Sequence, residues 1–156
     1  MLMKDITLRR ASRKDIEAIH DIITYYSGKG LILYRTKGDI SENLGTFFVA
    51  ENGSSFKGVV SFYDYGEKLK EVRSLAVVPE EGRKGVGTML VGRLLESLAG
   101  TCGSPKVFVL TYSPDFFLKN GFEVVDKATL PEKIWKDCQN CPHRDNCKET
   151  ALVYQL

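Results

Sequence analysis

Residues 71–92 read EVRSLAVVPEEGRKGVGTMLVG. The run opens as a strand, and its end, SLAVV, is nearly all apolar, the pattern of a central strand covered on both faces. Pro79 breaks it. A glycine-rich turn follows. Val86, Leu90, Leu94 and Leu98 then recur every four residues, with Met89, Val91 and Leu95 widening the stripe, which predicts an amphipathic helix from about Val86 to Ala99. The first amides of a helix lack partners within it and lie at the positive end of its dipole. Glycine lets main chain approach an anion closely. Gly82, Gly85 and Gly87, with Arg83 and Lys84 and the first helical residues Val86 and Thr88, therefore suit a loop that wraps phosphate oxygens with backbone donors. A plain strand-to-helix turn has the same composition. Neither GxxxxGK[ST] nor GxGxxG is matched, so the turn is neither a Walker loop nor the dinucleotide fingerprint.

On the N-terminal side, ITLRR (6–10) reads as a strand. Ser12 then starts a helix with Asp15 as its capping-box-like partner, and Ile16, Ile19, Ile22, Ile23 and Tyr26 share one face. SGKG ends that helix, and a short one is expected around Gly38–Asn43. FFVAE (47–51) and KGVVSFYDY (57–65) flank the turn-forming NGSS as a hairpin. On the C-terminal side, KVFVLTY (106–112) is a buried-type strand. SPDFFLKNG begins a short helix with Ser113 as a candidate cap and Pro114 in the first turn. FEVVD and ALVYQL are further strands. The expectation is one mixed α/β domain over residues 1–156, with a central mixed sheet flanked by helices and a cysteine-rich segment at 129–148.

Composition narrows the function classes. The 156 residues fit one ordinary core. A net charge of +2 gives no support for a nucleic-acid partner. No apolar run approaches the ~20 residues that a bilayer span needs. The start, MLMKDITLRR, lacks the features of a signal peptide. The expected location is cytoplasmic, with reduced thiols.

The strand ending in V-P, followed by G-x-G opening an apolar helix, resembles motif A of the GNAT acetyltransferases, whose usual form is R/Q-x-x-G-x-G/A. FFLKNGF (116–122) is similar to the other GNAT signature, a short helix closing in G-F. The resemblance implies the GNAT acyl-CoA N-acyltransferase fold and acetyl-CoA held by the loop amides at its pyrophosphate. One departure is Gly82 at the family's Arg/Gln position, with the arginine at 83. GLILYRTKGDISENLGTFFVAE (30–51), EVRSLAVVPE, the run from Val107 to Pro142 that contains PEKIWKDCQNCP, and the closing ALVYQL resemble the short bacterial N-acetylglutamate synthase type. That narrower likeness implies acetyl transfer from acetyl-CoA to the α-amino group of L-glutamate, the first step of arginine biosynthesis. The amino-acid-kinase-like domain of longer synthases is not matched, so the arginine feedback site is not implied. Alternatives are another small amine or amino acid such as glutamine, or a non-catalytic acyl-CoA-binding module. A homodimer is among the candidate assemblies.

Glu71 opens E-x-x-x-L-A-V, where many GNAT enzymes place a catalytic glutamate, and its carboxylate, or a water held by it, can take the amine proton. The other reading is a solvated acid beside Lys68 and Lys70. A backbone N–H among Leu75, Ala76 and Val77 can serve the thioester oxyanion. The family tyrosine that protonates the leaving thiolate corresponds to Phe117, which cannot donate. Either the thiolate leaves unaided or Tyr112 acts, and Phe116 and Phe117 then pack, with Phe117 expected along the pantetheine arm. Glutamate's carboxylates call for guanidinium and hydroxyl donors. The resemblance implies Arg35 as one. Arg73, two residues after Glu71 and so on the same strand face, is another. Thr111 and Ser113 can close the pocket beside Tyr112.

Cys138 and Cys141 have the C-x-x-C spacing of a chelate, Cys147 follows, and His143 lies between. They are candidate ligands of a structural zinc. The other reading is three reduced thiols, or a disulfide formed in air. His20 reads as a helix-surface residue.

Overall fold

The computed structural model describes residues 5–81, 85–101, 103–130 and 149–156. Seven strands form one sheet: β1 (Thr7–Arg10), β2 (Phe47–Asn52), β3 (Ser55–Asp64), β4 (Leu69–Val77), β5 (Lys106–Thr111), β6 (Glu123–Val125) and β7 (Thr150–Gln155). Their order is β1-β2-β3-β4-β5-β7-β6. Among the described residues only the β4–β5 pair is parallel, and the other five pairs are antiparallel. A parallel pair needs a crossover connection. Here it is α3 (Val86–Ala99), at the bounds its four-residue repeat predicts. The other helices are α1 (Ile16–Gly28), α2 (Lys37–Glu42) and α4 (Pro114–Lys119).

Period-two alternation gives each strand two apolar faces, and each face has its own cover. On one, Leu90, Leu94 and Leu98 of α3 are fully or almost fully buried with Phe48, Val60, Val72, Val107 and Val109. On the other, Ile19 and Ile23 of α1 and Ile40 of α2 bury Phe47, Val49, Val59 and Ala76. A third cluster on that second side, Leu69, Phe108, Leu130 and Ala151, extends the sheet face towards β7. Glu71 and Arg73 of β4 therefore lie between the cluster under α1 and the one around Phe108.

The first helix differs in detail from expectation. One 3-10 turn, Arg13–Asp15, precedes α1. Asp15 does return its carboxylate to the Ser12 amide, at 2.7 Å. Its main partner is Arg9 of β1, whose Nη1 and Nη2 donate at 2.8 and 2.9 Å. The same guanidinium reaches Glu51 of β2 through Nε at 2.8 Å. One arginine thus ties two strands to the start of α1. Burial alone would push the Asp15 carboxyl up, but the Arg9 and Ser12 donors outweigh it and the net shift is downward. The Arg9 hydrogen bond also holds the Glu51 carboxyl below its ordinary value.

Carboxyls lowered in the folded state stabilise it above the ordinary carboxylate range, and that stability is lost as pH falls through the lowered values. Replacing Arg9 by alanine removes charged hydrogen bonds worth roughly 1.5–3 kcal/mol. At neutral pH this should lower the melting temperature by roughly 5–10 °C. The gap between Arg9→Ala and wild type should narrow in acid. Thermal unfolding across pH measures it, and a gap that persists undiminished into strong acid would show that the tie is not ionic.

Candidate active site

The parallel pair sets the geometry. β4 and β5 are in register only at Leu69–Lys106, Lys70–Val107 and Glu71–Phe108. Beyond Glu71, β4 continues to Val77 and β5 to Thr111 without pairing to each other. Against β3, the register passes from Ser61–Arg73 to Val59–Ala76. Two residues of β4, Ser74 and Leu75, therefore oppose Val60 alone, which is a bulge. Ser74 takes the left-handed φ of 53°. Such a φ is uncommon for a residue with a Cβ, and bulges redirect the strand that carries them.

Past the bulge, the Val78 amide donates to the Lys57 carbonyl at 2.9 Å and so faces β3. Alternation then turns Ala76 towards β3 as well, and Leu75 and Val77 towards the gap beside β5. Of the three expected oxyanion donors, Leu75 and Val77 present amides to the opening. The Val77 carbonyl on that side accepts the Tyr26 hydroxyl at 2.6 Å.

α3 begins at the end of β4. Gly85 is its N-cap with φ 86°, a conformation that suits glycine. Val86 is buried, Gly87 half-buried and Thr88 exposed. Gly82, Arg83 and Lys84 lie outside the described residues. Asn120 at the end of α4 braces this turn, its Nδ2 donating to the Phe116 carbonyl at 2.8 Å and to Thr88 Oγ1 at 3.4 Å. A Cβ on Gly87 would come within 3.2 Å of the Phe116 ring. Gly87 is therefore a close-packing position between α3 and α4. Phe117 packs, as its missing hydroxyl implies: it is 3% exposed and meets Phe116 and Phe122 edge-on.

Across the opening lies a cluster of charges on the α1–α2 side of the sheet. Glu71 is 7% exposed. Its Oε1 accepts from Arg73 Nε at 2.6 Å and from the Tyr65 hydroxyl at 3.4 Å, as their shared strand face predicts. Arg73 also donates to Tyr65 at 3.2 Å and stacks over the Tyr63 ring at 4.4 Å. Arg35, from the α1–α2 connection, reaches the same face. It lies over the Phe47 ring at 4.8 Å, and its Nη1 donates to Ser61 Oγ at 3.2 Å. Ser61 Oγ in turn donates to the Arg73 carbonyl at 3.1 Å. Arg35 Nε donates to Asp39 at 2.6 Å. That bond, with Asn43 and the nearby charge of Arg73, holds the Asp39 carboxyl below its ordinary value against its desolvation.

The structure thus brings Arg35, Glu71 and Arg73 together beside the β4–β5 opening. Tyr112, exposed, directly follows β5. Ser113 occupies the N-cap of α4, but its side chain makes no capping bond. Its amide donates instead to Thr111 Oγ1 at 2.9 Å. His20 lies on the α1 surface, Nε2 at 3.0 Å from the Tyr34 hydroxyl. Cys138, Cys141, His143 and Cys147 lie outside the described residues. Among the described residues no group of His, Cys, Asp or Glu is placed to hold a metal ion, and no helix is long and apolar enough to cross a membrane. Asp39, Ser61 and Tyr65 were not predicted. Only the T-x-x-D pattern at Thr36–Asp39 offered a signal for any of them, and it was one for a helix cap.

Residues 43–124 match the acetyltransferase (GNAT) domain model. An uncharacterized N-acetyltransferase of Chlorobaculum tepidum is 40% identical over 152 residues, 97% of each chain. An amino-acid acetyltransferase of Mycobacterium tuberculosis is 29% identical over 133 residues, 83% of this chain and 75% of that one. Among solved structures, N-acetylglutamate synthase from Neisseria gonorrhoeae complexed with coenzyme A and N-acetyl-glutamate aligns at a TM-score of 0.87 and 23% identity. That alignment covers 97% of this chain and 35% of the synthase. This splayed mixed sheet with a glycine-capped helix at its opening is the GNAT fold, and the chain belongs to that family. It is an N-acetyltransferase.

Because Gly87 packs on Phe116, Gly87→Val should destabilise the protein even without ligand, by about 1–3 kcal/mol as overpacking does. A melting temperature equal to wild type would show that the α3–α4 contact yields freely.

Proposed function

We propose that the protein transfers the acetyl group of acetyl-CoA directly to the α-amino group of L-glutamate. The observation that carries this reading is that the Arg35 and Arg73 guanidinium groups lie on one sheet face, near enough that both lower the Asp39 carboxyl, next to the gap where β4 leaves β5. Two guanidinium groups suit an acceptor that brings two carboxylates. The relatives named as amino-acid acetyltransferases favour the same substrate class. A cytoplasmic place at the start of arginine synthesis belongs to this reading.

Acetyl-CoA would lay its pyrophosphate against the first amides of α3, where Gly85 clears the approach, and its thioester in the β4–β5 gap. The amide of Leu75 or Val77 would polarise the thioester carbonyl as negative charge develops on its oxygen. The acceptor amine attacks that carbon once a proton has left it, to Glu71 or to a water that Glu71 holds. The carbon–sulfur bond then breaks. A thiol with an ordinary pKa near ~8.5 leaves tolerably as the thiolate, or with a proton from Tyr112. The structural zinc read from the cysteine segment would act as a clamp and not as a catalytic centre, and metal analysis of protein purified without chelator tests it.

Thiol release from acetyl-CoA with a panel of amino acids, with mass spectrometry of the product, tests the reaction. Glutamate should give N-acetylglutamate; release with glutamine alone would move the assignment to a neutral side chain. Gly85→Val should weaken coenzyme A binding at least tenfold, read by calorimetry, and unchanged affinity would remove the α3 turn from the site. Arg35→Ala and Arg73→Ala each remove charged hydrogen bonds of roughly 1.5–3 kcal/mol. Each should raise KM for glutamate about tenfold or more while leaving KM for acetyl-CoA nearly constant. Glu71→Gln should lower kcat and flatten its pH dependence, and an unchanged rate would exclude Glu71 from proton transfer.

A further inference from the structure

Arg35 is held from several sides. Its Nε is spent on Asp39 Oδ2 at 2.6 Å. Its Nη1 is shared by Ser61 Oγ at 3.2 Å and Ser74 Oγ at 3.5 Å. The ring of Phe47 lies beneath it at 4.8 Å. Nη2 takes no hydrogen bond among the described residues, and the side chain is 13% exposed. The holders are fixed in turn. Thr36 caps α2 by accepting the Asp39 amide at 3.0 Å, and Asn43 Nδ2 donates to Asp39 Oδ1 at 2.8 Å. Ser61 is fully buried, and its hydroxyl proton is committed to the Arg73 carbonyl. Its lone pairs are therefore what Arg35 meets.

We propose that Asp39 and Ser61 are positioning residues that lock the Arg35 guanidinium with its Nη2 edge turned to the acceptor's carboxylate. This rests on the acceptor reading given above and adds how that site is pre-organised. A free arginine loses side-chain freedom when it binds an anion, whereas one already fixed by its other donors loses little. The fork geometry matters as well. With Nε and Nη1 engaged, Arg35 can offer an acceptor only one edge, which fixes the direction from which a carboxylate must arrive. Ser61 does a second task with the same atom, since it couples Arg35 to the main chain of Arg73 just before the bulge. A change at the Ser74 bulge would then be felt at Arg35 through both hydroxyls.

Asp39→Asn keeps the shape and removes the charge, and Ser61→Ala removes one atom from a closed site. Each should raise KM for the acceptor about tenfold with KM for acetyl-CoA little changed, while the melting temperature falls by a few degrees for the ties removed. In an Arg35→Ala background, Asp39→Asn should add nothing further, because residues that act through one partner are not additive. A full additional effect in that background, or equal rises in both Michaelis constants, would overturn the proposal. A second readout needs no acceptor. In ¹⁵N-labelled protein the Arg35 Nε–H should exchange slowly with solvent, and Asp39→Asn should abolish that protection. Protection that disappears in Asp39→Asn, with no amino acid acetylated, would sustain the lock and sink the glutamate reading. Glutamate turnover with both variants at wild-type KM would sustain that reading and sink the lock.

Discussion

Everything around the site depends on two parallel strands that part company after three residues. Once β4 leaves β5 beyond Glu71 and Phe108, its amides on that side have no ladder partners. A protein does not leave such groups buried and unpaired without cost. The gap thus leaves room for an acceptor atom from outside the sheet, and the crossover helix α3 begins at the same end of β4. The bulge at Ser74 changes the direction of β4 as it leaves its neighbour. A continuous ladder would have closed the gap and left the charges of Glu71 and Arg73 against an ordinary sheet face.

What the sequence revealed followed from periodicity. The four-residue repeat of α3 and the alternation of β2, β3 and β4 are packing patterns, and packing fixes both the elements and the face each residue shares. That is why the Glu71–Arg73 pair could be read from a spacing of two. The T-x-x-D pattern at Thr36–Asp39 marked a helix start, but not that its acid would turn back to Arg35. Ser61 is one hydroxyl inside the apolar run GVVSF, and its role emerges only when register sets it opposite Arg73. The left-handed Ser74 was illegible for a related reason, since no glycine marks the bulge. Phe117, which lacks the hydroxyl of the family tyrosine, reads as a packing residue, and it packs in the Phe116–Phe117–Phe122 stack that closes the core under α4.

The two arginines near the opening are not bare charges. Arg35 is paired with Asp39 and Arg73 with Glu71, so the cluster is close to neutral before any ligand arrives. Two unpaired guanidinium groups on one sheet face would repel and would each seek water or a counter-ion. Paired, they can stand close together and hold fixed orientations. The field an incoming carboxylate meets then depends on which edges are left uncovered more than on net charge.

That arrangement also separates two pH dependences. The Asp39 carboxyl is held below its ordinary range by Arg35, so the pair keeps its charges through mildly acid and neutral solution and comes apart only well below them. An amine acceptor, by contrast, must shed a proton before its lone pair can attack, and that demand falls at neutral to alkaline pH. On the proposed reading, the Arg35–Asp39 clamp is therefore constant over the range in which the chemistry turns on. On that reading, a rise of rate with pH belongs to the amine and to the group that takes its proton, and not to loss or gain of the Arg35 site.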